Sequence, residues 1–206
     1  MRTLYFMRHA QSEANLKNIL ASRKDFPLTE KGEVDAAKIA EEFAQNAKLE
    51  RVVSSPLKRA QQTAAAFAKV FNLKLQIEER LTEQDLGRFS GMTYEQINNE
   101  PNYVHDRSKR WRWEPDGGGE SYEMIARRIK PFFQSLDTFE GQSILFVTHA
   151  VTLRMIKCLL RQTQPEYPLE IAQNGEIWKV EFKGLGQVHP MDSLFLGDSK
   201  DNQSRA

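Results

Sequence analysis

The sequence contains a single cysteine, Cys158, in 206 residues. One thiol excludes an intrachain disulfide, and with only four histidines it leaves little from which to build a structural zinc site. No apolar run approaches the roughly 18 residues that a membrane-spanning helix needs. The opening MRTLYFM is too short for a signal-peptide core, and Arg8 interrupts it. An excess of one charge is missing as well. The 29 basic and 28 acidic residues leave a net charge of +1, so nothing draws the whole chain to nucleic acid or to a membrane surface, and any basic site must be local. Internal repeats and low-complexity linkers are also lacking. These absences predict a cytoplasmic protein of one domain, with no nucleic-acid partner and no membrane partner. The oligomeric state leaves no trace in the sequence.

What is present alternates short apolar runs with amphipathic stretches. Thr3–Met7, Leu49–Val53, Lys74–Ile77, Ser143–Val147 and Ile177–Phe182 read as strands. Between them lie helical patterns. Thr29 is the expected N-cap of a helix whose apolar face is Val34, Ala37, Ile39, Ala40 and Phe43. Ser55-Pro56 is expected to open a second helix, with the serine as cap and the proline in the first turn. Thr93–Lys109 reads as a polar helix that Asp116-Gly117-Gly118-Gly119 ends. Ser121 caps a strong helix carrying Ile125, Ile129, Phe132, Phe133 and Leu136, and Val151–Leu160 is a further helix. This alternation predicts an α/β three-layer fold, a mainly parallel central sheet flanked by helices. The domain is expected over 1–197, with a cap or lid segment around 93–118 and a polar, disordered tail over 198–206.

The strand ends carry the chemistry. Arg8-His9 follows the first strand, and a cation beside an imidazole at the end of a buried run needs a reason: a salt bridge, a metal, or an anion. His149 follows the fourth strand. Arg59 lies in the first turn of the helix after Ser55-Pro56, and Glu83 lies in LTEQDLG after the third strand. In parallel sheets, ligands bind beyond the carboxyl ends of the strands. Arginines would repel a metal cation, the G-x-S-x-G elbow of a serine hydrolase is absent, and so is a P-loop. Two arginines beside two histidines suit a dianionic phosphoryl group, because the guanidinium fork matches its oxygens and keeps its charge.

RHAQSEAN, PLTEKG, SSPLKRAQQT, LTEQDLGRFSG, GGES and VTHA occur in this order between Arg8 and Ala150. In this the chain resembles the histidine phosphatase superfamily, with its phosphoglycerate-mutase-like fold. The resemblance implies a phosphoric monoester hydrolase that uses no metal and no cofactor. His9 would be the nucleophile that becomes phosphohistidine. Arg8, Arg59 and His149 would hold the phosphoryl oxygens, with Asn15, Ser22 and Ala150 around them. Glu83 would be the general acid, with Asp85 as its competitor in the same loop. His9 must be neutral to attack, and its other ring nitrogen needs an acceptor, for which a backbone carbonyl is expected. The family commonly has glycine after each catalytic histidine. Here Ala10 and Ala150 stand in those places, and a methyl could crowd the pocket.

RSKRWRWEPDGGGES interleaves Arg107, Arg110 and Arg112 with Trp111 and Trp113. Its place in the chain fits a substrate-selecting lid, and a basic lid would favour substrates with extra negative charge. His105 and His189 read as surface histidines and Cys158 as inert core. The expected partner is a small phosphorylated substrate. Two rival readings stand beside the phosphatase: a cofactor-dependent phosphoglycerate mutase, and a regulatory module that recognises or dephosphorylates phosphoproteins. The mutases carry added sequence between the acid and the second histidine, whereas Glu83 and His149 are only 66 residues apart.

Overall fold

The computed structural model describes residues 1–136, 142–194 and 196. The tail expected over 198–206 lies outside them. Alternation along β1 (Arg2–Arg8) and β4 (Ser143–Thr148) builds the molecule. Successive side chains of a strand point to opposite faces. On one face, Leu4, Phe6, Ile144 and Phe146 pack against α5 (Tyr122–Ser135) and α6 (Ala150–Arg161). On the other, Tyr5, Met7, Leu145 and Val147 pack against α2 (Glu30–Asn46) and α3 (Lys58–Val70), which follow the one-turn α1 (Glu13–Leu16). Phe6 lies 5.3 Å from Phe146, ring centre to ring centre, and both are fully buried. Each such burial contributes about 1.5–3 kcal/mol.

The sheet has six strands in the order β3-β2-β4-β1-β5-β6, where β2 is Arg51–Ser54, β3 Leu75–Ile77, β5 Ile177–Phe182 and β6 Asp192–Leu194. β3, β2, β4 and β1 run parallel, and β5 and β6 are antiparallel additions. This is the three-layer, mainly parallel fold expected from the sequence. The register places Arg8 opposite Thr148, and Ser54 opposite Val147. Three carboxyl ends therefore meet at one edge, with His9, Ser55 and His149 each next in the chain.

Several local expectations are corrected. Thr29 and Ser121 do cap their helices, through bonds from Gly32 N at 3.0 Å and Met124 N at 3.4 Å. The buried face of α2, however, is Asp35, Ala36, Ile39, Ala40 and Phe43, while Val34 is 48% exposed. Helix α3 starts at Lys58, not at Pro56, and its N-cap Leu57 makes no side-chain cap bond. Thr93–Lys109 is not one helix. Thr93 caps the short α4 (Tyr94–Asn98), and the chain then leaves helix. Pro101 explains the stop, since the residue before a proline avoids the helical region. A 3-10 turn over Arg107–Lys109 follows. Leu86, Phe89, Ile97 and Tyr103 form a small cluster of their own, with Trp113 against it. His189 is 1% exposed rather than on the surface. Its ring stacks on Phe182, and its Nε2 accepts from Lys183 N at 3.0 Å.

Candidate active site

His9 sits where β1 leaves the sheet and is 4% exposed. Its Nδ1 lies 2.7 Å from the carbonyl oxygen of Ala10. A carbonyl only accepts, so Nδ1 carries the proton and Nε2 presents a lone pair. Arg59 Nε donates to that Nε2 at 3.2 Å. The rest of the Arg59 fork is fixed by the carbonyls of Lys24 at 2.9 Å and Ser22 at 2.8 Å. Burial, then Arg59 and Arg8, push His9 well below the ordinary histidine value. The ring is thus held neutral, with its nucleophilic nitrogen facing a guanidinium. Burial also lowers Arg59 to about 10, with Glu83 and Asp25 acting against the shift.

His149 lies beside it, the two rings 5.2 Å apart. Its Nε2 is 2.7 Å from Ser55 Oγ, and that oxygen also accepts from Leu57 N at 3.3 Å. With Leu57 on one lone pair, the Ser55 hydroxyl keeps both a proton and a second lone pair with which to meet Nε2. The His149 Nδ1 is buried without a partner among the described residues. Burial first, then Arg59, His9 and Arg8, hold His149 well below its ordinary value too. Arg8 is anchored by the Ala172 carbonyl at 2.7 Å, and its Nε is likewise buried and unpartnered. These unpartnered nitrogens are costly unless a ligand takes them up.

The third strand's exit loop brings in Glu83. Its carboxylate accepts from Thr152 N at 3.2 Å and Val151 N at 3.3 Å. Since His149 gives α6 no side-chain cap, Glu83 caps that helix from a distance. The loop is pinned on both sides: Thr148 Oγ1 donates to Leu81 O and Thr152 Oγ1 to Thr82 O, each at 2.6 Å.

Arg8, His9, Asn15, Ser22, Arg59, Glu83 and Ala150 all line one cleft of about 240 Å³. His149 is fully buried and is not among the residues that line it. Asn15 uses Oδ1 to accept from Ser12 N at 3.0 Å and from Asn174 Nδ2 at 3.2 Å, which leaves its amide donors for a ligand. Ser22 is more occupied: its hydroxyl donates to Gln84 O at 2.8 Å and accepts from Leu86 N at 2.9 Å, holding the acid loop. Ala10 does not crowd the pocket. It packs with Leu28 and Ala36, and neither it nor Ala150 has a positive φ. The lid residues divide. Arg107 and Arg110 line the cleft. Trp111 stacks on Tyr167 at 6.1 Å, Trp113 packs on Phe89 and Tyr103, and the exposed Arg112 lies 3.8 Å from Glu123. Arg110 is held between Tyr103 and Trp113, 4.8 and 5.1 Å from the ring centres.

Four residues were missed as parts of the site. Ser55 before Pro56 reads as a helix cap, although its place one residue beyond a strand is a usable signal. Thr63 binds Ala10 N at 3.1 Å and Arg59 O at 2.8 Å, four residues along α3 from Arg59. Asn174 donates to His9 O at 2.9 Å from a loop with no pattern of its own. Arg154 lines the cleft from within α6. Among the described residues, no cluster of three or more histidine, cysteine or carboxylate side chains is placed to hold a metal, and no helix is long and apolar enough to cross a membrane.

Fold and site together define a phosphoric monoester hydrolase. The model of the histidine phosphatase superfamily (branch 1) matches residues 4–189. A phosphoserine phosphatase 1 from Hydrogenobacter thermophilus is 34% identical over 165 residues, covering 78% of this chain and 76% of the relative. A 2,3-bisphosphoglycerate-dependent phosphoglycerate mutase from Brucella anthropi is 29% identical, over 82% of this chain and 86% of the relative. The solved structure of a mycobacterial glucosyl-3-phosphoglycerate phosphatase superposes with a TM-score of 0.78 at 24% identity, over 93% of this chain and 97% of that one, and shares the fold. The chain belongs to the histidine phosphatase superfamily.

Proposed function

We propose that the protein hydrolyses small phosphate monoesters through a phosphohistidine on His9, without a metal ion. The observation that carries this reading is the tautomer of His9: the Ala10 carbonyl takes the Nδ1 proton and leaves the Nε2 lone pair at the cleft. In the first step Nε2 attacks phosphorus, the ester P–O bond breaks, and the leaving oxygen takes a proton from Glu83. Arg8, Arg59 and His149 take the phosphoryl oxygens. In the second step water attacks phosphorus, Glu83 receives the water's proton, the P–N bond breaks and inorganic phosphate leaves.

The mutase reading has a relative in its favour, and the short span from Glu83 to His149 against it. A module that only recognises phosphoproteins is disfavoured by a complete catalytic set around a cleft of about 240 Å³. Brief reaction with labelled substrate should trap an acid-labile, base-stable phosphoprotein, and His9→Ala should abolish both the label and phosphate release. Turnover by a folded His9→Ala protein would sink the assignment. With 3-phosphoglycerate and catalytic 2,3-bisphosphoglycerate, phosphate release should exceed formation of 2-phosphoglycerate. The reverse order would establish the mutase.

A further inference from the structure

We infer that Glu120, the acidic residue of GGES, is a positioning residue for the general acid: it clamps the loop that carries Glu83. The inference rests on the reading of Glu83 as the proton donor.

Residues 82–86 have no regular secondary structure, yet every carbonyl from Leu81 to Asp85 accepts a hydrogen bond from outside the loop. Thr148 Oγ1 donates to Leu81 O and Thr152 Oγ1 to Thr82 O. Arg128 Nη1 also donates to Thr82 O, at 3.2 Å. Arg23 Nε donates to Glu83 O at 3.2 Å, Ser22 Oγ to Gln84 O at 2.8 Å, and Glu120 N to Asp85 O at 2.8 Å. The Glu120 carboxylate ties these bonds together. It accepts from Arg128 twice, Nε to Oε1 at 3.0 Å and Nη2 to Oε2 at 3.1 Å, and lies 2.7 Å from Arg23 Nη2. Oε2 also accepts from Asp85 N at 3.3 Å, and Glu120 O accepts from Gln84 Nε2 at 2.7 Å. One residue thus holds both backbone groups of Asp85, the side chain of Gln84, and the two arginines that donate to the carbonyls of Thr82 and Glu83. Burial works against its charge, but Arg128 and Arg23 outweigh burial and keep the carboxyl below its ordinary value.

The acid's own bonds show why a clamp matters. Glu83 accepts from Thr152 N at 3.2 Å and Val151 N at 3.3 Å. Such amides favour the anion, and a carboxyl group that carries its proton has less acceptor capacity left for them. In the form that donates, the backbone of the loop must therefore set where the group stands. A misplacement of about 1 Å can cost roughly 10²-fold in rate. Packing agrees with this. Gly87 follows the loop at φ +54, and a Cβ there would stand 2.1 Å from Asp116 O, so the turn before Glu120 lies backbone against backbone on the loop's end.

Glu120→Gln keeps the side chain's size and removes its charge. The test reads phosphorylation bursts with glycerol 3-phosphate, an alkyl ester, and with p-nitrophenyl phosphate. The alkyl burst should fall by about 10–100-fold. The aryl burst should fall by far less, because a displaced acid matters only to a leaving group that needs its proton. Arg128→Gln should reproduce this pattern. Glu123→Gln is the control: its carboxylate pairs with the exposed Arg127 at 3.0 Å, and both bursts should stay unchanged. In a Glu83→Gln background, Glu120→Gln should slow the alkyl burst no further, since no acid is left to place. Equal losses on the two esters, or losses that multiply in the double variant, would overturn the clamp and leave Glu120 a role in stability alone. Glu83→Gln by itself separates the clamp from the acid. If Glu83→Gln spares the alkyl ester, both fall. If it shows the leaving-group effect and Glu120→Gln does not, only the clamp falls. Should Glu120→Gln not fold, the exposed Arg23 decides: Arg23→Gln should show the same dependence on ester at a smaller size, and its absence overturns the clamp.

Discussion

Glu83→Gln separates two duties of one carboxylate, the helix-capping bonds that the structure shows and the proton donation proposed above. The first is structural. Glu83 accepts the amides of Val151 and Thr152 at the start of α6. Glutamine keeps one acceptor oxygen and replaces the other with a donor, so one amide loses its partner and the helix loses a favourable charge. Those losses together cost about 1 kcal/mol of stability. The second duty is chemical. An alkyl ester leaves as an alkoxide and needs a proton in the transition state, a contribution of about 10²–10⁴ in rate, or roughly 3–5 kcal/mol. An aryl ester leaves as a stabilised phenolate and needs little help. A loosened helix end would slow both kinds of ester alike, whereas a missing proton slows only the first. Pre-steady-state bursts isolate phosphorylation of His9 from its hydrolysis, where Glu83 acts again as base. The burst with an alkyl ester should fall by the larger factor and that with p-nitrophenyl phosphate by far less. Asp85→Asn is the control, since Asp85 is turned into its own loop, its Oδ1 accepting from Gly87 N at 2.8 Å and its Oδ2 3.6 Å from Arg23. If Asp85→Asn carries the leaving-group effect and Glu83→Gln does not, the assignment is wrong by two residues. If neither does, the acid lies outside this loop.

Two further perturbations probe the histidines. His9 and His149 are both held well below the ordinary value of 6.5, so below that pH the unfolded chain takes up protons that the folded one does not. Their stabilising contribution is full above about pH 6.5 and is lost as pH falls, at up to about 1.4 kcal/mol per pH unit for each. Urea unfolding at pH 7.5, 6.5 and 5.5 should show this slope, and His149→Asn should reduce it; parallel slopes would refute the burial argument. Ser55→Ala removes the hydroxyl that meets His149 Nε2 and should cost about 1–3 kcal/mol, with a fall in kcat that Ser54→Ala does not share. Equal effects of the two serines, by thermal unfolding and turnover, would show that Ser55 matters only as a small buried residue.

How much of this was legible in the sequence follows from the range of each interaction. Arg8-His9 and Thr148-His149 were readable because polar, ionisable side chains at the end of an apolar run conflict with burial, and the conflict marks a site. The sheet could be inferred from the alternation of elements, although the short β6 could not. Asp192–Leu194 is mostly exposed and carries no apolar pattern. Ser55 was misread because serine before proline is a sound local signal for a helix start, and here a tertiary bond to His149 overrides it. Val34 and Ala37 were misplaced for a related reason. An apolar residue is not obliged to face inward, and Asp35 occupies the buried side instead. Arg154 left no signal, because an arginine inside an amphipathic helix reads as part of its solvated face. Only packing shows that α6 turns Arg154 inward and that Tyr122 and Leu169 O receive it. The residues proposed for the reaction sit where the backbone changes state, at strand exits and helix starts, and such places are marked in a sequence. Arg154 sits mid-helix, where only the third dimension distinguishes a cation that faces water from one turned inward.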